Sequence, residues 1–157
     1  TRALLSDTAT LTANSFSTGT VDLQIARDDT GYADTQTGFT LTNLFPGQTG
    51  SAFFWLRNNS TVEFTLTGQV TDLSGTVAGS DVDLRVFPVD GTGTYVGGTV
   101  TGPFTLAQWN ASPQVINNLL AGVGQRFKAE ITIHSNVTVG GGTDNFNMSF
   151  VGTQVAP

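Results

Sequence analysis

At 157 residues with 38% hydrophobic side chains, 11 of them Phe, the chain suffices for one domain with a real core and needs no cross-links to hold it. Only 11% of residues are charged, against about 25% in ordinary soluble domains, and the net charge is −6; with no run of Lys or Arg, contact with a nucleic-acid backbone is not expected. The absence of cysteine excludes disulfides, thiol catalysis and Cys-ligated zinc, and no stretch approaches the ~18 apolar residues that span a membrane.

The elements read in chain order as strands. In Thr1 to Thr12, Ala3, Leu5, Ala9 and Leu11 share one face and Arg2, Ser6, Thr8, Thr10 and Thr12 mostly the other, a strand at the very start of the chain. Val21, Leu23 and Ile25 predict a short strand, as do Phe39 to Leu44 and Phe53 to Leu56, the last apolar on both faces and so central. Val62, Phe64, Leu66, Gly68 and Val70 alternate with polar residues, and Val82, Leu84 and Val86 do the same over a shorter span. At 112–122 the spacing predicts a short helix: Ser112 as cap, Pro113 in the first turn, Val115, Ile116, Leu119 and Leu120 on one face, Gly122 as stop. Phe127, Ala129, Ile131 and Ile133, then Phe146, Met148 and Phe150, complete the alternating runs. Turn residues fall between them at 28–31, 46–50, 58–61, 90–93, 97–98 and 140–142. Many short strands without alternating helices predict an antiparallel sandwich or barrel, with the helix covering one end. No repeat, linker or second domain is visible.

Catalytic chemistry finds little to stand on. The single histidine, His134, lies on the polar face of a strand, so no His-x-x-x-His zinc motif exists and a Ser–His–Asp site would rest on this one ring. No catalytic residue, cofactor or enzyme activity is expected. Asp28, Asp29 and Asp34 cluster; Asp81 and Asp83 fall on one face of a strand, where they are weak candidates for a calcium site or an acid pair, although Asp is also the common residue of turns and strand ends. Five Asn-x-Ser/Thr sequons, at Asn58, Asn59, Asn110, Asn136 and Asn147, exceed the roughly two that composition alone would give and are candidate N-glycosylation sites. Trp55 and Trp109 could stack on sugar, or serve as buried anchors.

Residues 4–23, LLSDTATLTANSFSTGTVDL, resemble the mature start of the TasA/camelysin-type secreted proteins: Ser-Asp, a Thr-rich strand, then Asn14-x-Phe16-x-x-Gly19-Thr20-Val21-Asp22-Leu23, with Val21 where the family has Leu. Asn43 to Gly47 resembles the family's Pro-Gly turn, Phe54 to Asn59 the strand and Asn-rich turn after it, and Asp144 to Gln154 its last strand. About half the chain is covered; residues 72–125 lie outside the resemblance. The family, which includes archaeal bundling-pilus relatives, implies a jelly-roll-like antiparallel β-sandwich, export with removal of a signal peptide (the chain opens at Thr1, not Met), and extracellular fibres of biofilm matrix or pilus-like kind.

The resemblance also implies assembly by donor-strand complementation, dividing the chain into a donor strand at 1–12 and a single sandwich at 13–157. Physics supplies the logic. An open sheet leaves backbone N–H and C=O groups and an apolar groove unsatisfied, and a neighbour's strand fills both. Such head-to-tail contacts do not close and so build filaments. Burying Ala3, Leu5, Ala9 and Leu11 would contribute roughly 4–8 kcal/mol before ordering costs. The expected partners are therefore other copies of the chain, head to tail and in lateral bundles, at an extracellular location. Two alternatives stand beside this reading: the first strand folds back into its own sheet, and the chain is a monomeric secreted binding module, an adhesin or a carbohydrate-binding sandwich.

Overall fold

The computed structural model describes residues 6–12, 15–18, 23–33, 35–37, 41–137 and 142–155. Within them the strands are β1 (Ser6–Thr12), β2 (Ser15–Thr18), β3 (Leu23–Ala26), β4 (Thr35–Thr37), β5 (Leu41–Leu44), β6 (Thr49–Asn58), β7 (Phe64–Gly75), β8 (Val82–Val89), β9 (Thr101–Thr105), β10 (Gln114–Leu119), β11 (Gly124–Ile133) and β12 (Gly142–Gln154). One helix, α1 (Leu106–Ala111), and a 3₁₀ turn at Gly79–Asp81 complete them. All the ladders between these strands are antiparallel. A seven-stranded sheet runs β10-β7-β12-β1-β2-β4 with β5 also on β12, and a five-stranded sheet runs β3-β6-β11-β8-β9. Val21, Phe39 and Asp34 lie outside the described residues.

The two sheets form a sandwich because each strand buries alternate residues. In β11, Phe127, Ala129, Ile131 and Ile133 are buried while Arg126, Lys128, Glu130 and Thr132 stay partly exposed. In β7 the buried partners are Phe64, Leu66 and Val70. These faces meet Phe146, Met148 and Phe150 of β12 and Phe54 and Leu56 of β6 in one core. Phe54 carries the join between sheets, its ring centroid 5.1 Å from that of Phe150 and 5.7 Å from that of Phe127. The expectation for Phe53 to Leu56 holds: β6 lies between β3 and β11.

The seven-stranded sheet needs close packing at two glycines. A Cβ on Gly152 would sit 2.7 Å from the Phe64 ring, and one on Gly68 2.8 Å from Ile116 Cδ1. Both large side chains lie flat where a strand offers no Cβ.

The helix expected at 112–122 is a correction. Residues 114–119 form β10, paired to β7, and the helix lies just upstream with Ser112 as its C-cap. A register shift between Val115 and Asn117 inserts a residue into the strand, so that the buried side chains, Ile116 and Leu119, fall three apart. That spacing imitates a helical face. Val115 and Leu120, assigned to the same face, are instead more than half exposed. The true helix begins with a capping box, Thr105 accepting from the Gln108 N–H while Gln108 Oε1 accepts from the Thr105 N–H. It ties the sheets together at one edge: Trp109 Nε1 donates to the Leu84 carbonyl at 2.9 Å, and Asn110 Nδ2 to that of Val70 at 2.9 Å.

Candidate functional site

The first site is the seat of β1. Ser6 to Thr10 pair with Thr153 to Ser149 of β12, and Ala9 to Thr12 pair with Thr18 to Ser15 of β2. The strand therefore takes an interior position in its own chain's sheet. Of the residues expected on its inserting face, Ala9 is the Cα partner of Phe150, a core residue, and Leu11 that of Phe16. Ala3 and Leu5 lie outside the described residues. The far edge of β12 is shared: β5 holds Gly142 and Asp144, and β1 holds Ser149 to Thr153.

The second site, which no sequence motif announced, is the outer face of the five-stranded sheet. The register places Arg57 opposite Gly124, Arg126 between Trp55 and Val89, Lys128 between Phe53 and Phe87, and Glu130 between Ser51 and Arg85. Four of the chain's six Lys and Arg thus stand on outward positions of this sheet. Each lies over a ring: Arg57 4.1 Å from the Tyr32 centroid, Arg126 4.2 Å and Lys128 5.7 Å from Phe53, and Arg85 5.0 Å from Phe87. At one end an open cleft of about 290 Å³ is lined by Thr49, Asp83, Arg85, Pro103, Glu130 and Thr132.

Glu130 is the hinge of the charges in that cleft. Arg85 donates to Oε1, and Lys128 Nζ lies 3.3 Å from Oε2. Burial by itself would raise the carboxyl's pKa. The hydrogen bonds and charges of Arg85 and Lys128 outweigh it and hold the group below its ordinary value. The ionised form is thus favoured by folding, and its contribution is present above the ordinary carboxyl pKa and lost as pH falls through the folded one. Glu130→Gln is accordingly expected to lower stability at pH 7 by no more than about 1 kcal/mol, the range of screened ion pairs. The difference from the parent chain should shrink in a series of urea melts as pH falls through the lowered folded pKa. A gap that stays constant from pH 7 into the acid range would mean the carboxylate charge is not what stabilises.

The remaining sequence-predicted residues separate clearly. Asn58 is fully buried; its amide donates to the Val62 and Leu119 carbonyls at 2.6 and 2.9 Å, and its oxygen accepts from the Ser60 N–H and hydroxyl. Asn147 is buried too and donates to Asp72. Neither amide is open to a glycan, a correction to the sequon reading: both hold strand ends and bulges together. Asn59, Asn110 and Asn136 are exposed. Asp81 and Asp83 do not share a strand face, because Asp81 belongs to the 3₁₀ turn; Asp83 Oδ1 instead lies 2.9 Å from His134 Nε2. Asp28 accepts from the Thr30 hydroxyl and Asp29 from that of Tyr32, a turn closed on itself. Among the described residues no group of three or more His, Cys, Asp or Glu could hold a metal. Trp109 is a buried anchor; Trp55 is half-buried on the outward side of β6. No helix among the described residues is long and apolar enough to cross a membrane.

No protein-family model matches the chain, and no curated protein matches it. Among solved structures it is similar to the infectious bursal disease virus VP2 subviral particle, with 12% identity and a TM-score of 0.39, covering 96% of this chain and 52% of that one. The structure of the Gt strain of the same virus matches at 13% identity and a TM-score of 0.39, covering 92% of this chain and 32% of that one. The chain thus spans about half, or a third, of the length of these neighbours.

Proposed function

We propose that this chain is the structural subunit of an extracellular filament, without enzymatic activity, in which β1 of one copy takes the seat of β1 in the next. The observation that carries the reading is the position of β1: the first strand among the described residues is an interior strand, flanked by β12 and β2. An interior strand of this kind can leave its sheet and be replaced by the same strand of another copy through the same ladder, as in domain swapping. Chained head to tail, that exchange does not close. The sparse charge of the chain removes the long-range repulsion that would oppose close packing of copies, and the resemblance of residues 4–23 to secreted fibre subunits points the same way.

Negative-stain electron microscopy of the full chain tests this, beside a chain lacking residues 1–12 and the same chain supplied with a synthetic 1–12 peptide. Filaments from the full chain only, with the peptide captured by the shortened chain, support strand exchange. Soluble monomers from the full chain under every condition overturn it. The cleft and the aromatic-cation face favour the second reading, a monomeric secreted binding module, which that outcome would leave standing.

A further inference from the structure

The four cations on the five-stranded sheet form a line. Arg57 on β6, Arg126 and Lys128 on β11 and Arg85 on β8 occupy successive cross-strand rows, so each steps one row along and at most one strand across. With rows about 7 Å apart and strands about 4.8 Å apart, the charges follow one another at roughly 7–8 Å along a diagonal of some 20 Å. The rings beneath them brace the cations, Arg57 Nη2 donates to Gln24 Oε1, and Arg126 Nη1 is steadied further by the Asp90 and Gly91 carbonyls at 3.1 and 3.0 Å. Glu130 neutralises one, leaving a band of net +3 on a chain of net −6. Asp83 flanks the band and is engaged with His134. The exposed carboxylate of Asp90 is held by its own turn, where the Thr92 hydroxyl and the Thr94 and Thr92 N–H groups keep its pKa low.

We infer that this band is a binding surface for a carboxylated polysaccharide, lying across Arg57, Arg126, Lys128 and Arg85. The small number of cations decides the class of polymer. A duplex nucleic acid is typically held by roughly 6–10 phosphate contacts, more than the four cations of this band can supply. A polyuronate carries one carboxylate per sugar, a sparser row that cations 7–8 Å apart can meet. Arg forks take carboxylates bidentately, and the cleft beside Arg85 and Glu130 is also lined by Thr49 and Thr132, whose hydroxyls pair with each other at 2.9 Å and keep capacity for one more bond each to sugar hydroxyls. The inference rests on the register of this sheet and is independent of strand exchange.

The test is titration calorimetry of the full chain with polygalacturonate at 20 and 200 mM salt, with neutral dextran and duplex DNA as comparators. Polygalacturonate is expected to bind and to weaken at least about tenfold at the higher salt. The Arg126→Gln, Lys128→Gln double variant should lose about tenfold in affinity, while Arg27→Gln, outside the band, should bind as the parent does. Should the double variant fail to show the parent's urea midpoint, Arg57→Gln replaces it, with a loss of about threefold. Absence of binding, equal binding of dextran, tighter binding of DNA, or unchanged affinity in the band variants would each overturn the assignment.

Discussion

A chain carrying Thr10→Cys and Ser149→Cys is expected to remain monomeric when oxidised before assembly, and to form filaments once reduced. The two positions are Cα partners across β1 and β12. Directly opposed residues in an antiparallel pair lie about 4.5–5.5 Å apart, within the span a disulfide bridges. The parent chain has no cysteine, so no competing pair exists. The same variant reports on assembled material. Where β1 has moved into a neighbour, Thr10 of one copy opposes Ser149 of the next, so oxidation after assembly should link successive subunits. A non-reducing denaturing gel should then show a ladder. Filaments that give only monomer bands after oxidation would mean each copy keeps its own β1, and strand exchange would be wrong.

The largest stability effect is expected at Trp109. Its side chain is fully buried, edge-on to Phe104 at 6.2 Å between centroids, and its indole N–H satisfies the Leu84 carbonyl at 2.9 Å. Trp109→Ala should cost about 3–5 kcal/mol, from a cavity at the join of β7, β8 and α1 together with an orphaned acceptor. That is a large share of the 5–15 kcal/mol that holds a domain. Trp109→Phe keeps most of the ring volume and should cost less, with about 1 kcal/mol of the loss due to the hydrogen bond. Urea midpoints followed by far-ultraviolet circular dichroism measure both. If the alanine variant lost under 1 kcal/mol, the packing of α1 between the sheets would be refuted. Trp109 sits on α1 against β7 and β8 rather than at the seat of β1, so the phenylalanine variant should assemble as the parent does.

The strands that pack against others on both sides were the easiest to read. Alternation in Val62 to Val70 and Phe127 to Ile133 carries into β7 and β11 because one face of each meets the core. Where local geometry departs from period two, the pattern misled. The extra residue in β10 turned a strand into an apparent helix face, and α1, six residues long, had only its Thr105–Gln108 capping box to announce it. Burial of Asn58 and Asn147 was equally hidden, since a sequon says nothing of whether the amide is already spent on carbonyls or a carboxylate. The cation band was invisible for a different reason. Positions 57, 85, 126 and 128 become neighbours only through the pairing of β6, β11 and β8. Alternating cations at 126 and 128 were the one local hint; register supplied the rest.

The arrangement along β12 sets a ruler for whatever strand lies there. β5 is paired at Gly142 and Asp144, so a strand sliding down the same edge from Ser149 runs into an occupied berth. A slip of a single residue would turn every side chain of the incoming strand to the opposite face, and the stop guards against longer drift in that direction. In a polymer built on this edge, β5 would fix how far each copy advances beyond the last, and lengthening the segment before Ser6 would leave the axial repeat unchanged while shortening β5 would loosen it.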